Sequence, residues 1–320
     1  MGRVEWALLI LLSALWGAAF FFGKVAVREL SPFTVVFVRV SLAALILNGV
    51  LLLTGQRLPR FPGRWGEFMI LGLFNNAVPF SLIFWGQTRI ASGLASILNA
   101  TTPAWGILLA HLWTEDEKLT PNKVLGVVLG LCGAVTLIGW DILFGERGNV
   151  LAQLAVLGAA LSYAATGIYA KRFKGTAPLV LATVQISCAA LWMLPVALLT
   201  FPSGQRFDLS LPVVLSVLGL AVLSTALAYL IYFRVLASAG ASNVLLVTLL
   251  IPVSANALGA LVLGERVGVE QVLGMMLIGL GLAVIDGRVV AALAGSRKYR
   301  AASARADPEP PDASVHSRKP

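Results

Sequence analysis

Ten stretches of the chain are apolar for about the length that a helix needs to cross a hydrocarbon core, roughly 20 residues. They run over 6–27, 32–53, 65–85, 91–113, 124–140, 150–170, 178–201, 211–232, 241–263 and 267–285, about two thirds of the 320 residues. The fifth is short and the tenth carries Glu270 and Gln271 near its start. The runs are continuous, whereas strands of a membrane barrel alternate apolar and polar positions over about 10 residues. The pattern therefore predicts transmembrane helices. Arg3 ahead of the first run suits a signal peptide, but the run is too long and no small-residue cleavage site followed by a soluble domain comes after it. The linkers are too short to hold a soluble domain. Residues 291–320 are rich in Ala, Ser, Arg and Pro, too poor in apolar surface to fold, and are expected to form a disordered cytoplasmic tail.

Composition sharpens this picture. Apolar residues make up 58% and charged residues 12%, about half the share of roughly 25% seen in soluble domains. The net charge of +9 has two readings, nucleic acid or membrane topology. With both termini on the cytoplasmic side, 14 Lys and Arg fall inside, before three more late in the tail. Six fall outside, namely Lys24, Arg28, Arg89, Arg147, Arg206 and Arg266. That bias is what orients membrane helices, so the charge reads as topology and nucleic acid is not expected as a partner. Two Cys and two His exclude a disulfide framework and a Cys/His zinc cluster. No metal or cofactor is implied.

The chain also repeats itself. Ala91–Pro103 and Gly240–Pro252 resemble each other at an offset of 149, and Glu117-Lys-Leu matches Glu265-Arg-Val at 148. Leu125-Gly126 matches Leu273-Gly274, Gly133 matches Gly281, Trp16 meets Tyr163 and Lys24 meets Lys171. Two copies of a five-helix unit follow, 1–145 and 146–290. Five is odd, so the second copy enters the bilayer from the opposite side. Inverted repeats of this kind mark secondary transporters, because exchanging the states of the halves opens the protein to either side. An integral-membrane enzyme or a receptor has no need of this symmetry, and no catalytic cluster accompanies the charged linkers.

These motifs resemble the EamA repeat of the drug/metabolite transporter superfamily. Each copy has a mid-helix Pro, then small residues, then an acid (Gly264-Glu-Arg-Val in one, Thr114-Glu-Asp-Glu-Lys-Leu in the other), then a Gly-rich last helix. The opening Ser13-Ala-Leu-Trp-Gly17 and Arg39 also match. The resemblance covers 5–286 and implies an all-α integral membrane protein, ten transmembrane helices as two inverted repeats, and export or exchange of small metabolites. The first copy lacks the Gly before its acid, which leaves Glu115, Asp116 and Glu117 as alternatives for the position matching Glu265.

Candidate residues follow from depth. Pro103 and Pro252 sit mid-span, where Pro breaks a helix, and matched breaks point to a transporter's binding site. Arg39 lies within the second span, where a charge is costly, with no acid at similar depth. It either faces a cavity or caps carbonyls, where it suits a carboxylate, or is a snorkelling or structural Arg near the outer leaflet. Asn75, Asn76, Asn99, Thr102, Gln185, Thr225, Tyr229 and Asn256, with Trp16 and Tyr163, are polar or amphipathic at mid-depth and must face the bundle interior. Gly126, Gly130, Gly133, Gly274 and Gly281 allow close helix approach, either within the chain or at a homodimer seam. With no deep carboxylate to relay protons, facilitated export or exchange of amino-acid-like metabolites is the first expectation. Multidrug efflux is the second.

Overall fold

The structure is a computed structural model and describes residues 3–56, 58, 62–113, 120–144, 147–173, 175–200, 209–239 and 247–286. The expectations for Glu115, Asp116, Glu117 and the tail lie outside these residues. The described residues are helical without strands. The helices are α1 (Arg3–Ala26), α2 (Pro32–Leu53), α3 (Trp65–Gln87), α4 (Ser92–Trp113), α5 (Pro121–Phe144), α6 (Arg147–Tyr169), α7 (Pro178–Thr200), α8 (Leu211–Val235), α9 (Val247–Leu263) and α10 (Val269–Asp286). Seven helical runs are long and apolar enough to cross a membrane: α1 to α4, α7, α8 and, at α6, the run Asn149–Phe173. Within α5, α9 and α10 the apolar stretches are shorter, Pro121–Thr136, Leu250–Leu263 and Val269–Val284. Ten full-length spans are thus met by seven plus three shorter helices among the described residues.

Local chemistry sets the ends. At α2 the Ser31 Oγ accepts from the Thr34 amide at 3.1 Å and Pro32 takes the first turn, where a missing N–H costs nothing. Gly55, Gly175 and Gly264 take positive φ after α2, ahead of α7 and after α9, the conformation that L side chains resist.

Two helices depart from α geometry at matched places. Residues Leu73–Ala77 of α3 and Val222–Leu227 of α8 each form a wide π turn, and their starts differ by 149, the offset of the Pro pair. In α3 the cause is local. Pro79 has no N–H to give the carbonyl four residues back, and the wide turn absorbs the misfit. The Phe74 carbonyl is taken up by Ser162 Oγ of α6 at 2.6 Å. In α8, Thr225 Oγ1 donates to the Leu220 carbonyl at 2.7 Å.

Helix pairing is symmetric under exchange of the halves. The α1–α9, α1–α8 and α2–α8 contacts have counterparts in α6–α4, α6–α3 and α7–α3, while α2–α7, α4–α9 and α5–α10 map onto themselves. Loops that the charge count assigns to one side also meet. Glu29 of the α1–α2 loop accepts from the Ser210 amide and hydroxyl ahead of α8, at 2.9 and 2.6 Å. These bonds hold its carboxyl below the usual range. Arg64 before α3 reaches the Arg172 carbonyl after α6 at 3.2 Å.

The Gly rows work within the chain. A Cβ on Gly133 would lie 2.8 Å from the Gly274 carbonyl oxygen, and one on Gly281 2.6 Å from that of Gly126. These reciprocal contacts seat α5 against α10, so the faces carrying these glycines are already covered by the chain's own helices. On Gly279 an added Cβ meets nothing within 4 Å. Gly133→Leu and Gly281→Leu should each destabilise by about 1–3 kcal/mol, and Gly279→Leu should be close to neutral. Thermal unfolding in detergent checks this; equal behaviour of all three variants contradicts the seam.

Candidate functional site

Arg39 is the eighth residue of α2 and is 5% exposed. Its Nε donates to Thr225 Oγ1 in the wide turn of α8 at 2.9 Å. Its guanidinium carbon lies 3.8 Å from the Phe80 ring centroid and 5.6 Å from that of Phe84, both on α3. Tyr163 of α6 and Tyr229 of α8 are near enough to interact with the charge electrostatically. No carboxylate pairs with Arg39 among the described residues, where the one ion pair joins Arg64 and Glu67. Neither terminal guanidinium nitrogen makes a hydrogen bond among these residues.

Asn76, in the wide turn of α3, is fully buried. Its Oδ1 accepts from the Tyr229 hydroxyl at 3.1 Å, while its Nδ2 has no partner. A buried amide N–H without an acceptor costs about 1–3 kcal/mol. Asn76 is linked to the cation through Tyr229, so the cluster holds unspent donors on two guanidinium nitrogens and an amide, with the Tyr163 phenol near Arg39.

A second polar cluster occupies the matched position in the other half. Arg39 and Gln185 are each seven residues past the Pro that opens their helix, Pro32 and Pro178. Where Arg39 bonds Thr225, Gln185 Oε1 accepts from Asn75 Nδ2 at 3.1 Å, and Asn75 Oδ1 accepts from Thr166 Oγ1 at 3.0 Å. The two poles share a frame but not a charge. One is cationic and short of acceptors, the other is neutral and internally bonded.

The remaining candidates take other places. Trp16 packs on Tyr232, ring centroids 5.6 Å apart, joining α1 to α8. Thr102 Oγ1 donates to the Asn99 carbonyl at 2.7 Å, and Asn99 Oδ1 is buried without a partner. Asn256 Nδ2 donates to the Pro252 carbonyl at 2.8 Å, and Gly93 leaves room for the Asn256 side chain. Pro252 lies inside α9. Pro103 does not kink a continuous helix: the interruption falls at Ala100 and Thr101, and Pro103 sits in the first turn after it. A small apolar crevice near these breaks is lined by Ile97, Ala100, Pro252, Met275 and Ile278, not by the polar set around Arg39.

Of the alternatives expected for Arg39, capping of backbone carbonyls is not what its Nε does. The side chain finds a hydroxyl and two aromatic faces instead. Phe80 and Phe84 went unsuspected because apolar residues in an apolar run carry no distinguishing pattern. Pro79 and the Asn-Asn pair ahead of it were the available signal for the wide turn.

An outer clamp also escaped the sequence reading. Lys24 Nζ donates to the carbonyls of Gln87 and Ile90 at 2.7 and 2.9 Å, at the C-terminal end of α3. Glu265 accepts from the Ser92 amide and hydroxyl at 2.9 and 2.7 Å, and from the Gly93 amide at 3.3 Å, at the start of α4. A cation on helix-end carbonyls and an anion on helix-start amides each suit the local dipole. The α3–α4 elbow is thus held from α1 on one side and from the α9–α10 turn on the other.

The EamA-like transporter family matches residues 4–139 and again 150–286. The chain is 24% identical over 275 residues to an uncharacterized transporter, YoaV, of Bacillus subtilis (strain 168), covering 86% of this chain and 94% of that one. It is 27% identical over 292 residues to a probable amino-acid metabolite efflux pump of Escherichia coli (strain K12), covering 88% and 94%. A solved crystal structure 19% identical aligns with a TM-score of 0.64 over 89% of this chain and 97% of that one, a likeness of fold.

Replacing Glu265 by Ala strips acceptors from three donors at the start of α4. A loss of about 1–3 kcal/mol in stability is expected, with faster proteolysis at the elbow; unchanged melting and cleavage would show that the clamp carries no load.

Proposed function

The chain belongs to the EamA-like transporter family, and from that premise we propose that it is a secondary transporter exporting or exchanging small, carboxylate-bearing, amino-acid-like metabolites by alternating access. It works as a multi-pass protein of the cell membrane with both termini cytoplasmic and ten spans in two inverted five-helix repeats. The supporting observation is the donor set around Arg39. A cation near the middle of a span costs about 2.5–3.5 kcal/mol even on the most lenient scale, and here no acid offsets it among the described residues. A substrate carboxylate would supply the missing acceptors for the guanidinium and for Asn76 Nδ2.

Burial supports alternating access. Asn76 is fully buried and Arg39 is 5% exposed, so a substrate reaches both groups only when helices part. The symmetric pairing of the halves offers two equivalent ways of parting. The two elements that carry the site, the wide turns of α3 and α8, are weak points in their helices, as π turns often are at functional sites. The probable amino-acid metabolite efflux pump among the relatives agrees in substrate class with this reading. Multidrug efflux is the second reading, favoured by the aromatic faces of Phe80 and Phe84, but a cationic drug would meet a like charge at Arg39.

Counterflow in proteoliposomes tests the proposal. Wild-type protein should exchange labelled carboxylates across the membrane. Arg39→Gln should stay folded with equal or higher thermal stability, since removing an unpaired buried charge relieves a penalty. Its half-saturating substrate concentration should rise about thirtyfold or more, the equivalent of roughly 2 kcal/mol lost at a buried charged contact. Wild-type exchange by Arg39→Gln would contradict the anion site, and collapse of the fold would assign Arg39 a structural role instead.

A further inference from the structure

Building on the reading of Arg39 as the anion site, we infer that the transported species is a monoanion without an ammonium group: a deaminated acid, such as a 2-oxo or 2-hydroxy acid, in preference to the zwitterionic amino acid of the same skeleton. The argument is one of charge balance. The buried site holds one cation. A monoanion brings its net charge to zero, whereas a zwitterion neutralises Arg39 with one end and reintroduces a buried positive charge with the other. That ammonium needs an anionic partner to be tolerated in low dielectric.

The acids whose side chains are described are placed elsewhere. Glu67 pairs with Arg64 at the start of α3. Glu29 and Glu265 are occupied by Ser210, Ser92 and Gly93 in loops or helix starts. Glu5 and Glu270 lie in the first turns of α1 and α10. What the interior offers opposite Arg39 is neutral. Gln185 at the matched pole has its Oε1 taken by Asn75, the Asn76 Oδ1 is taken by Tyr229, and buried amide oxygens without a partner, such as Asn99 Oδ1 and Gln87 Oε1, carry no charge. Carbonyls near the helix breaks are met by side-chain donors, as at Asn99 and Pro252. A hydroxyl in place of the amine needs no counter-charge and can donate to a neutral acceptor, and a 2-oxo carbonyl needs none either and accepts from a donor such as Asn76 Nδ2. The aromatic faces of Phe80 and Phe84 flank the cation, so apolar skeletons fit best.

The test uses wild-type protein in proteoliposomes and compares compounds of one skeleton as competitors of counterflow. Phenylpyruvate, phenyllactate, phenylalanine and phenethylamine form one set, and 4-methyl-2-oxopentanoate, leucine and isoamylamine a second. The oxo and hydroxy acids should compete at concentrations at least tenfold below the amino acid, and the amine should compete weakest. An amino acid that competes as well as its oxo acid overturns this inference while leaving Arg39 as a carboxylate site. An amine that competes best overturns both, and so does failure of every compound to compete with an anionic tracer.

Discussion

A positive charge held inside a membrane protein, with no acid to answer it among the described residues, is the constraint around which the rest of the molecule is arranged. Arg39 is kept by one hydroxyl and two aromatic rings. Together these offset only part of what water would provide, because a cation–π contact contributes about 2 kcal/mol when desolvated. On the proposed reading, a bound anion would improve on this state. Binding energy realised only with the substrate in place is what a carrier needs: it makes the occupied site stable enough to close and the empty site free to reset.

The frame around this charge is nearly symmetric and its contents are not. Helix pairs, wide turns and Gly contacts recur in both halves, at offsets of 148 or 149 where residues can be compared. Yet the matched positions hold Arg39 against Gln185 and Thr225 against Asn76. On the proposed alternating-access reading, symmetry of the backbone would allow the two openings to be alike in energy, while asymmetry of the side chains would give the substrate one orientation. Lys24 and Glu265 form a clamp that grips opposite ends of the α3–α4 elbow. It ties α1 of the first half to the α9–α10 turn of the second, where a change of access would have to be felt.

Much of the fold was legible because a bilayer imposes long apolar runs and a transporter repeats itself. The runs located the helices, and the Pro103–Pro252 offset located the break regions, although the interruption in α4 lies just before Pro103, at Ala100 and Thr101. The depth of Arg39, Asn76, Thr225 and Tyr229 drew attention to the residues that do meet. Depth alone could not say which of the polar groups would be unspent. Gln185 and Asn256 find partners, whereas Asn76 Nδ2 does not, and that depends on rotations about helix axes that no linear pattern records. The faces of Phe80 and Phe84 were hidden for the opposite reason, as apolar residues among apolar residues. Glu265 was visible as a motif residue, but its hold on Ser92 and Gly93 joins positions 173 and 172 residues apart.

The most direct test of the account is an experimental structure of the protein with a transported carboxylate bound. The account predicts carboxylate oxygens within about 3 Å of the terminal nitrogens of Arg39 and of Asn76 Nδ2, with Thr225 still on Nε. A substrate seated elsewhere, with Arg39 still lying on Phe80 and its terminal nitrogens unmet, would contradict it.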